Sequence, residues 1–216
     1  MVDFDGFPKE TFAFLRALSK NNKKAWFDAH KDDYQSFYVE PANAFIAAMV
    51  PRVRKLSIGG GGAMRIYRDT RFSKDKKPYK DHLDLFFWHG KKKSWDVPGF
   101  FMRLSAGEVW LGAGMHHFVD PKRLASFRKA IDDDKRGKKI AAIVKKLEKA
   151  GYDVGGRELK TVPRGFDPEH ERADLLKHKG LFAMVEAKPK DAQGSKFVGF
   201  CIRHFEALEP LNSWLV

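Results

Sequence analysis

The chain has 216 residues, 43% of them hydrophobic and 13% aromatic with 19 Phe, which is ample material for a buried core. Its 41 Lys and Arg outnumber 28 Asp and Glu for a net charge of +13, which marks anions and polyanions as natural partners. A single cysteine, Cys201, excludes an intrachain disulfide and a cysteine-based zinc centre. The opening residues lack a basic segment followed by an apolar run. The apolar stretch 42–50 is too short to span a bilayer. A soluble cytoplasmic protein with no membrane partner is expected.

In chain order, the sequence reads as helical up to about residue 55. Pro8 suits a first helical turn, Phe12, Leu15 and Leu18 form one stripe, and Asn21-Asn22 ends it. A second helical stretch carries Trp26, Phe27, Tyr34, Phe37 and Tyr38 as far as Pro41, and a third covers about 42–55. The four glycines 59–62 read as a loop. Strands are expected over 63–68, about 81–88, 100–104 and 108–112, the last two joined by a Ser105-Ala106-Gly107 turn. Asp120-Pro121 pairs an N-cap with a first-turn proline, opening a helix to about Asp132, and another helix spans about 137–150. Residues 152–162 suggest strand and turn. Asp167-Pro168 repeats the capping signal before a short helix through Leu176, with Gly180 just past its end. A strand over 181–187 and a helix over about 194–209 complete the pattern. Loops 90–99 and 188–194 are candidates for mobility. Helices and strands are segregated rather than alternating. This implies an α+β fold in one domain over 1–216, with a mainly antiparallel sheet, a helical N-terminal layer and C-terminal helices.

The segment 65–80 stands out chemically. It holds seven cations (Arg65, Arg68, Arg71, Lys74, Lys76, Lys77, Lys80) against Asp69 and Asp75, with Tyr67, Phe72 and Tyr79 among them. Arginine presents a planar fork matching two carboxylate or phosphate oxygens, whereas lysine acts as a point charge. A strand over 63–68 would put Arg65 and Tyr67 on one face and Arg68 on the other, leaving the remaining cations on a loop. One reading is a loop pinned by its own Arg–Asp pairs. The other is an anion site, favoured because seven cations exceed two local acceptors. A second basic stretch, 120–149, carries eleven cations against five carboxylates at helical apolar spacing, and half the case there is for a solvated helix face.

Other constellations are weak. His82 and Asp84 would share a strand face with Phe86 and Trp88, which suggests a half-buried polar patch more than a metal pair. The set His82, Asp84, Glu108 and His116 has no compelling ligand spacing. Glycines 59–62 lack the Lys-Ser/Thr of a phosphate loop, and Ser73 lies outside any Gly-x-Ser-x-Gly elbow. Cys201 sits among Phe197, Phe200 and Phe205 and reads as core. No metal and no cofactor are expected, and no catalytic residue is assigned.

The run Arg-Asp-x-Arg-Phe-Ser-x-Asp-Lys-x-Pro-Tyr-Lys at 68–80 resembles the signature of a widespread domain-of-unknown-function family. The resemblance extends to Asn21-Asn22-Lys23-Lys24-Ala25-Trp26-Phe27, Leu159-Lys160 with Pro163-Arg164-Gly165-Phe166, and Leu175-Leu176-Lys177 with Lys179. It implies no particular activity. The shared positions it implies are Arg68, Asp69, Arg71, Asp75, Lys76, Tyr79, Lys80, Lys160, Arg164 and Lys177. With Arg65 these form the candidate ligand set, and 67–80 is expected to meet 160–164 around one anion. The ligand is phosphate-bearing or a carboxylate. An enzyme acting on a phosphorylated small molecule would use the arginines as a clamp, with Asp69, Asp75 or His82 as acid or base. A non-specific nucleic-acid binder would instead present a flat basic surface with exposed aromatic rings.

Overall fold

A computed structural model describes residues 3–91, 94 and 97–216 of the chain. The N-terminal layer comprises α1 (Lys9–Lys20), α2 (Lys24–Ala29), α3 (Lys31–Tyr34), a π-helical turn (Gln35–Val39) and α4 (Glu40–Val53). Helix α1 buries Phe12, Phe14, Leu15 and Leu18, the stripe its spacing implied. It stops where the Asn21 N–H turns back to the carbonyls of Ala17 and Leu18. Strands β1 (Ile58–Ala63), β2 (Leu83–His89), β3 (Gly99–Leu104) and β4 (Val109–Met115) follow, then α5 (Pro121–Asp132), α6 (Asp134–Lys149) and β5 (Asp153–Arg157). The chain continues through α7 (Ala173–Leu176), β6 (His178–Ala187), α8 (Pro189–Ala192) and α9 (Phe197–Leu215).

The six strands form one sheet in the order β1-β2-β3-β4-β6-β5, with every neighbouring pair antiparallel. The fold is α+β, as the segregated pattern implied. Facing residues run across the sheet as Phe87, Phe100, Ala113, Ala183 and Val154, and this is the face the helices cover. Phe205 of α9 stacks on Phe100 at 4.5 Å, and Phe45 of α4 lies 6.3 Å from Phe87. Buried side chains from Phe4 to Leu215 join in one cluster there.

Several elements differ from expectation for definable reasons. Glycines 59–62 are strand β1, not a loop. They pair with β2, where Gly60 faces Trp88 and Gly61 faces Phe87, and a Cβ at either glycine would run into the opposing ring. The strand's packing surface is supplied by its partner. Segment 63–68 is not a sheet strand beyond Ala63. Gly180 lies inside β6, and α9 continues through Pro210. Helix α6 begins at the Asp133 cap and contains Gly137, where a Cβ would collide first with the Ile131 carbonyl and then with the buried Arg172 guanidinium. That guanidinium donates to the carbonyl oxygens of Ile131 (2.7 Å) and Asp132 (3.1 Å) at the end of α5. The expected loop 188–194 contains α8. Within the expected loop 90–99, Lys92, Lys93, Trp95 and Asp96 lie outside the described residues.

Candidate functional site

The basic segment is a loop closed by its own stem. The Lys80 N–H donates to the Ile66 carbonyl (2.8 Å) and the Arg68 N–H to the Pro78 carbonyl (2.9 Å), so Tyr67 and Tyr79 face each other across a single bridge. Ile66 and Tyr79 are buried and tie this stem to the core. The Tyr79 ring stacks on Phe27 of α2 with centroids 4.1 Å apart and planes 17° from parallel. Such an aromatic pair is worth about 1 kcal/mol beyond area burial. The Asn22 side-chain amide completes the anchor. Its Nδ2 donates to the Tyr79 carbonyl (2.9 Å) and its Oδ1 accepts the Tyr79 N–H (3.0 Å), as a neighbouring strand would.

Beyond the stem, the loop's carboxylates occupy its arginines. Arg71 makes a forked pair with Asp69, Nε to Oδ1 at 3.0 Å and Nη2 to Oδ2 at 2.7 Å. Arg68 donates to Asp75 Oδ2 (2.7 Å) and to the Lys77 carbonyl (3.3 Å), while Asp75 Oδ1 accepts the Lys77 N–H (3.1 Å). Lys76 Nζ donates to the Thr70 carbonyl (3.0 Å). The bond from Arg71 holds the Asp69 carboxyl below its ordinary pKa, and the Lys77 N–H followed by Arg68 does the same for Asp75. What remains outward are Arg65, Lys74 and Lys77, exposed side chains with no ion pair among the described residues. Phe72 stands between them, 95% exposed, with the Arg71 guanidinium 5.8 Å from its ring centre. Arg–Asp pairs thus pin the loop, while Arg65, Lys74 and Lys77 stay exposed beside them.

Lys80 leaves the stem toward the helix-free face of the sheet. Its ammonium lies 3.1 Å from Asp84, which also receives Arg103 (2.7 Å) and His82 (3.2 Å). Burial works to raise the Asp84 pKa, but the bonds from His82 and Arg103 overcome it and hold the carboxyl well below its usual range. His82 is bracketed by Asp84 and Asp81, whereas His116 sits at the far end of β4, so His82, Asp84, Glu108 and His116 do not assemble. Among the described residues no three His, Cys, Asp or Glu side chains are grouped to hold a metal. On the same helix-free face, Phe86, Phe101 and Phe182 lie across Gly99, Gly112 and Gly155. Arg103 and Lys80 share Asp84 there, and Trp110 donates to Glu108.

The downstream candidates form a separate group. Lys177 pairs with Asp174 at 2.9 Å, Arg157 reaches the same carboxylate at 3.4 Å, and Glu158 receives His117 (3.0 Å) and Lys179 (3.4 Å). The N–H groups of Glu158 and Leu159 donate to the Lys177 carbonyl, which joins the two downstream motifs. Lys160 and Arg164 are exposed. This group leaves the sheet at the Arg157 end of β5, while 64–80 leaves at the Leu83 end of β2, four strands away. At the usual strand spacing that is ~19 Å across the sheet alone. The two cationic segments therefore do not share one site. Cavities of about 160 Å³ beside Phe127 and Trp214, and about 270 Å³ between α6 and α9, touch neither group. Sequence reading missed Asn22 and Phe27 as anchors of the loop, since no spacing links positions 22 and 27 to 79.

The chain belongs to the family described as conserved hypothetical protein (DUF2461), whose model matches residues 10–214. No curated protein matches it. Among the described residues no helix is long and apolar enough to cross a membrane.

Proposed function

We propose that this protein binds nucleic acid without reading its sequence, through the phosphate backbone, using the exposed basic loop 65–80. One observation carries this reading. Arg68 and Arg71 of the loop are already matched by its own carboxylates on an open surface, so they do not converge into a clamp for a small phosphorylated molecule. The cations left for a partner are separate, exposed charges at Arg65, Lys74 and Lys77 on a chain of net charge +13. Point charges spread along a surface suit a polymer of phosphates, whose condensed counterions are released on binding. The cavities beside Phe127 and Trp214 and between α6 and α9 include none of these cations, which stand exposed.

The test is a titration of labelled single-stranded and duplex oligonucleotides at two salt concentrations. Affinity is expected to fall steeply with salt. The double substitution Lys74→Ala, Lys77→Ala removes two phosphate contacts, so the log–log salt slope on single strands becomes shallower by about 1.4. An absence of binding to either oligonucleotide at low salt ends the proposal.

A further inference from the structure

Phe72 is the anomaly of the surface. It is the most exposed large apolar side chain among the described residues at 95%, against 53% for Tyr67, and no packing accounts for it. Yet the backbone that carries it is held rigidly. Asp69 grips Arg71 both through its guanidinium and through its N–H (3.2 Å), and Lys76 closes the loop on Thr70. The Ser73 N–H turns back to the Thr70 carbonyl (3.3 Å), directly behind the ring. Asp75 and Arg68 brace the returning limb, and Tyr79 and Asn22 anchor the stem. A braced loop that ends in a bare ring, flanked by Arg71 and Lys74, is organised to present that ring to something anionic.

We propose that Phe72 stacks on an unpaired base of single-stranded nucleic acid while Lys74 and Lys77 hold the adjoining phosphates. This rests on the nucleic-acid reading above and narrows it to single strands. A ring on a fixed loop gains its contact without ordering itself on binding, which lowers the entropic cost of association. Stacking accepts any base, because every base has a π-face, and it is strongest where bases are already unpaired. In a duplex the same ring would first have to separate a base step, which costs a few kcal/mol. The charge of the rim selects this occupant over an apolar protein partner. An anionic bilayer surface shares that charge, and the experiment separates the two.

The experiment compares wild type with Phe72→Ala, Phe72→Tyr and Lys74→Ala, Lys77→Ala. The probes are an oligothymidylate and a duplex of matched length, each also prepared with 2-aminopurine, and vesicles containing phosphatidylserine. Phe72→Ala is expected to weaken single-strand binding about tenfold with the salt slope unchanged, and to abolish the change in 2-aminopurine emission. Phe72→Tyr restores both. Duplex affinity barely moves. Because Phe72 is 95% exposed and Lys74 and Lys77 are exposed, all variants keep the wild-type melting temperature. If Phe72→Ala binds single strands as tightly as wild type while the lysine variant does not, stacking is wrong and backbone binding stands. Binding to the vesicles with no binding to either oligonucleotide overturns both readings.

Discussion

The two cationic clusters, the loop 65–80 and the group around Glu158 and Lys177, are built from the same residue types and end in opposite arrangements. Downstream, acid and base meet across different elements in three of four pairs, Asp174–Lys177 being the local exception. Asp174 after α7's start joins Arg157 of β5 to Lys177, and Glu158 joins His117 to Lys179. Those pairs staple an edge strand to its neighbour. In the loop, acid and base meet within a few residues of each other, Asp69 with Arg71 and Asp75 with Arg68. Such local pairs tie the chain only to itself, and the side chains outside them face solvent. Composition alone does not separate a staple from a display; the presence of ion pairs that reach another element does.

The comparison breaks most easily at the loop's anchor. Tyr79→Ala removes a buried ring from its stack on Phe27 and is expected to cost ~3–5 kcal/mol of stability in urea unfolding, with hydrogen exchange accelerated at residues 66–80. Next in size is Asp84→Asn, which leaves Lys80 and Arg103 facing a neutral amide. Its expected cost is about 3 kcal/mol near neutral pH, the scale for breaking a largely buried ion pair. The sign of its pH dependence is fixed. The folded pKa of Asp84 lies below its unfolded value. Its contribution is therefore complete above about pH 4 and is lost as pH falls through the folded value. The gap between wild type and variant should narrow in acid and stay wide at pH 6–8. The smallest effect belongs to the staple: Asp174→Ala removes exposed pairs, and its change in unfolding free energy should stay within about 1 kcal/mol. A loss as large as that of Tyr79→Ala would erase the distinction drawn here.

Much of the fold was legible because local chemistry agreed with it. The Asp120 and Asp133 side chains cap α5 and α6, although only the first was read as a cap. The Ser105–Glu108 turn joins β3 to β4 as its residues implied, with the Ser105 N–H donating to the Glu108 carbonyl at 2.9 Å. What could not be read was supplied from elsewhere in the chain. The four glycines of β1 have no side chains to show an alternation, and the rings over Gly60 and Gly61 arrive from β2. Gly137 resembles a helix start until Arg172, 35 positions later, fills the space beside it. At the candidate site, the excess of cations over carboxylates was visible, but which cations stay unmatched depended on the fold of the loop. The meeting of 67–80 with 160–164 failed for a topological reason: β4, β6 and β3 stand between them.

The Asn22 clamp has a consequence for how this molecule can change. With the Tyr79 backbone held by a side chain and the stem closed by Ile66 and Pro78, everything between Asp69 and Lys77 hangs from the domain as a detachable appendix. The energetic demands of folding end at the stem, and lengthening a closed surface loop adds only ~0.6 kcal/mol per doubling. The tip is therefore the part of the protein most open to rewriting. A different ring, a different spacing of charge, or an inserted peptide there would alter what the molecule touches while the sheet and its helices stay as they are.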